Sequence, residues 1–350
     1  GMWLLLSVSV SWVGVAQLAR AAEQRTEALQ RHSVVPVMTW ANSSAWVLLA
    51  IPYATRRALA GDSTAAGETP ACLVLCKTEA FSSPKQPARF LLIALATNFS
   101  YMSALHFLPA SLNTAIFCTS PIFTLLLSAA FLRSGGARAA ERGGLCACLA
   151  VELCTKRALS VALSVAGVLL IVEPWQASAA QGLALERLAG VTLSLLAALG
   201  TAVYQVHFKA TFGDAMRPEE VGLFLAHMGA MSSVLLGAAL LVLAAGSVYR
   251  VELRLVPWAL VGSTALSSAL FNFLLKFGLS RDSPVAVSLA TQVGIPLNLL
   301  LDVVVVRAPV RAAQAAGAAL MLGSFTLSSA GAPRRPVGGQ PRLLDDPAVT

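Results

Sequence analysis

Apolar residues in this chain come in long runs of 17 to 26, interrupted by short polar and charged stretches. A hydrocarbon core about 30 Å thick needs runs of this length to be crossed by a helix. Ten such runs are legible, near 2–19, 35–55, 89–108, 110–132, 158–174, 188–208, 220–245, 257–277, 284–306 and 311–330. The pattern therefore predicts an all-α polytopic membrane protein of ten transmembrane helices. Stretches 56–88 and 133–157 are rich in Gly, Ser, Ala and charge and read as long loops, and the Pro/Gly-rich tail 331–350 reads as disordered and cytosolic.

The runs also repeat. Asn98-Phe99 is followed by Ala104-Leu105, Pro109 and Pro121; Asn272-Phe273 is followed by Gly278-Leu279, Pro284 and Pro296. Both proline pairs are 12 residues apart. One copy lies on the third and fourth runs and the other on the eighth and ninth, a separation of five. Five is odd, so the second copy would enter the bilayer from the opposite side. Residues 1–174 and 175–330 are accordingly expected to be two inverted five-helix repeats, the arrangement with which carriers alternate access around a site near the midplane.

Composition supports the membrane reading: 57% of residues are hydrophobic and 12% charged, against roughly half and a quarter in a soluble domain. The net charge of +8 is spread in small clusters rather than gathered into a stripe, which argues against nucleic acid as a partner. Seventeen of the 25 basic residues fall in the even-numbered loops and the tail, predicting cytosolic N- and C-termini. The first run lacks a basic flank and carries Gln17, so it reads as a span rather than a signal peptide. The chain opens on Gly1, which leaves room for a preceding cytosolic extension. Five of six cysteines (Cys72, Cys76, Cys146, Cys148, Cys154) fall in loops assigned to the reducing cytosol, and Cys118 lies in a span; free thiols are expected, with no metal or cofactor. Within the spans no HExxH, paired Asp or Ser-His pattern suggests an enzyme.

Polar groups inside spans cost free energy unless they pair or face a cavity, so they form the candidate solute-binding set. It comprises Gln17, Trp40, Asn42, Asn98, Tyr101, Asn113, Tyr204, Asn272, Lys276 and Gln292, with Pro121 and Pro296 as kinks that let the halves rock. Interhelical packing is the competing role for Asn98 and Asn272. Lys209, Lys276 and Asp302 also lie close enough to helix ends to be expected to snorkel, and His227 reads as a hydrogen-bonded packing residue.

Several short motifs occur in an order that resembles the F branch of solute carrier family 35, within the drug/metabolite transporter superfamily. Ser11-Trp12-Val13-Gly14 with Gln17, and Thr39-Trp40, resemble its first two helices. Thr97-Asn98-Phe99 with Tyr101, and Phe117-Cys118, resemble its third and fourth. Tyr204, Val206, Phe208 and Lys209 resemble the sixth, and Phe271-Asn272, Phe277-Gly278 and Ile295-Pro296 through Asn298 to Asp302 resemble the eighth and ninth. The resemblance covers about Ser11 to Ser328. The chain departs from the pattern at Ser120-Pro121, where the family carries Asn-Lys, around Asn42 to Trp46, and in the fourth loop. The resemblance implies a carrier of a small polar organic solute, with thiamine as the implied substrate and the lipid bilayer as surroundings. A nucleotide sugar is the alternative, and a non-transporting carrier-like receptor is a third reading; a homodimer is left open.

Overall fold

The computed structural model describes residues 2–27, 35–52, 54–55, 85–104, 107–108, 110–132, 156–173, 184–213, 216–247, 254–307 and 309–330. Loop and tail expectations, the five loop cysteines and Pro109 lie outside the described residues. Every described element is helical: α1 (Met2–Glu27), α2 (Val35–Ser44) continuing as a 3-10 segment (Ala45–Ala50), α3 (Lys85–Ala104), α4 (Ala110–Phe117), α5 (Ser120–Phe131), α6 (Lys156–Val172), α7 (Ala184–Phe212), α8 (Pro218–Ala245), α9 (Trp258–Arg281), α10 (Pro284–Val306) and α11 (Ala312–Ala330). Taking α2 with its 3-10 continuation, and α4 with α5, gives ten rods among the described residues, close to the ten runs read from sequence.

Six rods are long and apolar enough to cross a membrane: α1, α4 with α5, α7, α8, α9 and α10. α6 has only 17 residues, while α3 and α11 are long enough but dilute their apolar content with polar and small side chains. Apolar side chains cover the outside of the bundle, among them Leu92, Leu188, Leu266 and Val304, each more than 60% exposed. A surface of this kind suits lipid rather than water.

Local signals set the helix ends. Pro218 opens α8 behind a capping pair in which the Arg217 backbone N–H donates to Glu220 Oε2 at 2.8 Å. Ser283 caps α10 by accepting from the Ala286 N–H, with Pro284 next, and Arg307 in the left-handed region (φ 56°) ends it. The two repeated prolines differ in outcome. Pro121 sits in the first turn of α5, after a break at Cys118-Thr119, whereas Pro296 lies inside an uninterrupted α10.

The largest buried cluster gathers the starts of α1 (Leu5), α3 (Phe90, Leu91), α8 (Val221 to Met228) and α10 (Ala286 to Val293) with the ends of α7 (Phe208), α9 (Leu279) and α11 (Phe325). Neighbouring rods therefore run in alternating directions. Packing partners recur five rods apart: α1 lies against α9 and α10, and α7 lies against α3, α4 and α5. α2 lies against α9 as α8 lies against α3, while α2 faces α8, α5 faces α10 and α6 faces α11. A matching pair of hydroxyls fastens the first of these contacts. Ser9 donates to the Ala290 carbonyl at 2.6 Å, from α1 to α10, and Ser194 donates to the Asn113 carbonyl at 3.1 Å, from α7 to α4.

Candidate functional site

Three of the sequence-predicted residues meet at one place. Lys276 is buried at 6% exposure, and its ammonium donates to Asn272 Oδ1 at 3.2 Å and lies 4.6 Å from the centre of the Tyr204 ring. Asn272 is one helical turn from Lys276 on α9, and its amide donates to the Ser268 carbonyl at 3.0 Å. Tyr204, from α7, directs its hydroxyl at Met228 Sδ of α8 at 3.7 Å. Among the described residues the ammonium meets no carboxylate; a carbonyl oxygen and a ring face are its neighbours. Such a group is favoured by cation–π attraction but keeps most of its desolvation cost.

The burial of Lys276 corrects the snorkelling expectation. The α9 backbone continues to Arg281, which takes the terminal position and leaves Lys276 more than a turn inside. Lys209 likewise turns inward, donating to the Leu279 carbonyl at 2.8 Å and tying the ends of α7 and α9 together. His227 donates from Nδ1 to the Leu223 carbonyl of its own helix at 2.8 Å.

The remaining candidates are distributed around this cluster rather than in it. Tyr101 and Asn113 form a second group: the Asn113 amide donates to the Tyr101 carbonyl at 3.2 Å, and the Tyr101 hydroxyl lies 3.4 Å from Thr114 Oγ1. Gln17 donates to Asn298 Oδ1 at 2.8 Å across α1 and α10. The Trp40 indole donates to the Ser233 carbonyl of α8 at 3.2 Å. Gln292 has both ends of its amide engaged, donating to the Cys118 carbonyl at the α4–α5 break and accepting from Ser164 of α6. Asn98 is exposed, so it and Asn272 have different surroundings despite equivalent places in the repeat. Asn42 Oδ1, the Trp46 indole nitrogen, Asn113 Oδ1 and Gln205 Oε1 are buried without a hydrogen-bond partner among the described residues. Acceptors and donors left in this way inside a bundle are available to water or a polar solute.

Sequence reasoning missed the apolar residues around the cluster. Met228 is fully buried beneath the Tyr204 hydroxyl, and the Phe90 ring of α3 meets that of Tyr204 edge to face with centroids 5.3 Å apart. A methionine or phenylalanine inside an apolar run carries no signal that sets it apart. A surface groove of about 470 Å³ between Phe107, Leu188 and Leu193 is apolar and includes none of the polar candidates.

No protein-family profile matches the chain. It is similar to solute carrier family 35 member F3 of human and of mouse, each 24% identical over 216 residues. These alignments cover 61% of this chain and 46% of each relative, so the matched region is under half of the relatives' length. One crystal structure superposes with a TM-score of 0.62 at 17% identity, covering 94% of this chain and 96% of that one, a likeness of fold.

Proposed function

We propose that this chain, a relative of solute carrier family 35, is a secondary transporter that moves a small polar organic solute by rocking two inverted five-helix halves. The observation that carries the reading is the buried Tyr204–Asn272–Lys276 cluster, where an ionisable group lies inside an apolar bundle at the junction of α7, α8 and α9. Intramembrane charge of this kind is costly and marks solute or ion pathways. The recurrence of packing partners five rods apart, in rods of opposite direction, supports the inverted repeat. Lys85, Arg89, Lys156, Arg157, Arg217 and Arg281 lie at the end of the bundle where Phe90 is buried, which supports a cytosolic assignment for that end and for both termini.

Thiamine is the solute implied by the family resemblance, with Trp40, Tyr101 and Tyr204 as aromatic faces for a cation. Lys276 favours the second reading, a nucleotide sugar or another anion-bearing solute, because a buried ammonium repels a cation and attracts a phosphate. Purified protein in liposomes separates the two. Saturable thiamine uptake supports the first, exchange of nucleotide sugars supports the second, and no flux with any solute sinks the transporter reading. Asn98→Ala and Asn272→Ala then test the site: lowered uptake at unchanged thermal stability is expected, and unchanged uptake with lowered stability would assign both residues to packing.

A further inference from the structure

One face of α3 changes character along its length. Leu91, Asn98 and Met102, spaced by seven and four residues, lie on one side of the helix. Leu91 is 7% exposed, Asn98 is exposed and Met102 is 48% exposed. Corresponding positions on α9, 174 residues later, are Ala265, Asn272 and Lys276. These stay covered: Ala265 is 7% exposed, Asn272 half-buried and Lys276 6% exposed. Matched faces in the two halves are thus closed on α9 and open on the second half of α3.

α8 changes in the same direction. Val221, Leu223, Phe224, Leu225, Ala226 and Met228 are buried, whereas every residue from Leu241 to Ser247 is exposed, a run long enough to include all sides of the helix. Phe90 near the start of α3 packs edge-on against Phe224 near the start of α8, with centroids 5.3 Å apart, so the two helices run the same way and their open halves lie at the same end. Lipid satisfies Leu241 and Val242. It does not satisfy the amide of Asn98, which needs water or a polar solute.

The other end is filled by rings. Phe90 lies within 4.8 to 5.9 Å, centroid to centroid, of His207, Tyr204, Phe224, Phe212 and Phe208. Its counterpart on α9 is Thr264, which bonds to its own helix, so the two ends close by different means. Tyr204 belongs to both neighbourhoods: its ring is in a T-shaped contact with Phe90, and its face meets the Lys276 ammonium.

We propose that the gap between α3 and α8 beyond Asn98 is the solute's entry to the Tyr204–Asn272–Lys276 site, and that Phe90 is the stopper that seals the site from the opposite end. The proposal rests on the transporter reading. A solute that draws the ammonium away from the Tyr204 face frees that ring, and with it one of the contacts that hold Phe90 in place. Entry from one side then loosens the seal on the other.

Cysteine labelling with a membrane-impermeant maleimide tests this without any solute, in full-length protein whose native cysteines are replaced by alanine. Met102→Cys is expected to react from one face of the membrane only. Leu279→Cys, buried on the Phe90 side of Lys276, is expected to be unreactive from both faces. Adding Phe90→Ala should make Leu279→Cys reactive from the face opposite to the one that labels Met102→Cys, leaving the latter unchanged. If Phe90→Ala fails to fold, Phe224→Ala removes one side of the same ring contact and carries the same expectation. Unreactive Met102→Cys would mean that this face meets lipid, and persistent protection of Leu279→Cys in the folded variant would mean that the rings do not form the seal; either result overturns the proposal. Labelling as expected with no flux in liposomes would instead remove the transporter reading.

Discussion

The Lys276 ammonium faces the Tyr204 ring at 4.6 Å from α9 to α7, both in the second half of the chain, and the matching position in the first half is Met102. The repeat read from the sequence is therefore broken by a charge at this position. Lys276→Met restores symmetry of residue type and removes a buried ammonium whose desolvation costs several kcal/mol. Expected are a thermal midpoint in detergent equal to or above that of the parent, together with loss of solute uptake. A strongly lowered midpoint would show that the ammonium holds the bundle together.

Gln292 makes the opposite case, since both ends of its amide are engaged within the protein. Gln292→Leu leaves the Cys118 carbonyl and the Ser164 hydroxyl unpaired in a buried setting, each at a cost of about 1–3 kcal/mol. Unfolding in denaturant should record that loss, while the Michaelis constant of the remaining folded protein stays unchanged. A shifted Michaelis constant at parental stability would move Gln292 from the frame to the solute.

Gln17 and Asn298 lie 281 residues apart and form a direct amide-to-amide bond between α1 and α10. Gln17→Ala, Asn298→Ala and the double variant form a cycle that isolates their interaction. Interhelical polar pairs in membranes average about 0.6 kcal/mol, and coupling near that size is expected. Additive effects of the two single changes would mean that the pair is not joined in the bilayer.

Element existence was legible in the sequence because a bilayer imposes both length and composition on each helix, and the 284–306 run coincides with α10 to the residue. Boundaries shifted where the helix outruns the hydrocarbon: α1 continues through polar residues to Glu27 and α7 to Phe212. The break at Cys118-Thr119 was not visible, since Pro121 could as well have kinked a continuous helix as Pro296 is tolerated in α10. Polarity alone identified Tyr204, Asn272 and Lys276 as candidates but could not group them, for side-chain identity does not tell which face of a helix meets which neighbour. It also gave Asn98 and Asn272 equal standing, a symmetry that their different exposure breaks.

Gly167 and Gly317 bring α6 and α11 into backbone contact. A Cβ at Gly167 would stand 2.7 Å from the Gly317 carbonyl oxygen, and one at Gly317 would stand 2.5 Å from the Gly167 carbonyl oxygen. Neither neighbour is a flexible side chain, so the helices must separate to admit a methyl group. Just beyond this crossing, Arg311 at the start of α11 pairs with the buried carboxylate of Glu173 at the end of α6, and separation would strain that pair as well. Gly317→Ala is therefore expected to destabilise the protein despite the better helix propensity of alanine. Gly262 in α9 has no atom within 4 Å of a built Cβ, and Gly262→Ala should stabilise by about 0.5–1 kcal/mol through propensity alone. Opposite signs in a side-by-side unfolding measurement would establish the α6–α11 contact; a gain in both would show that the two helices have room to spare.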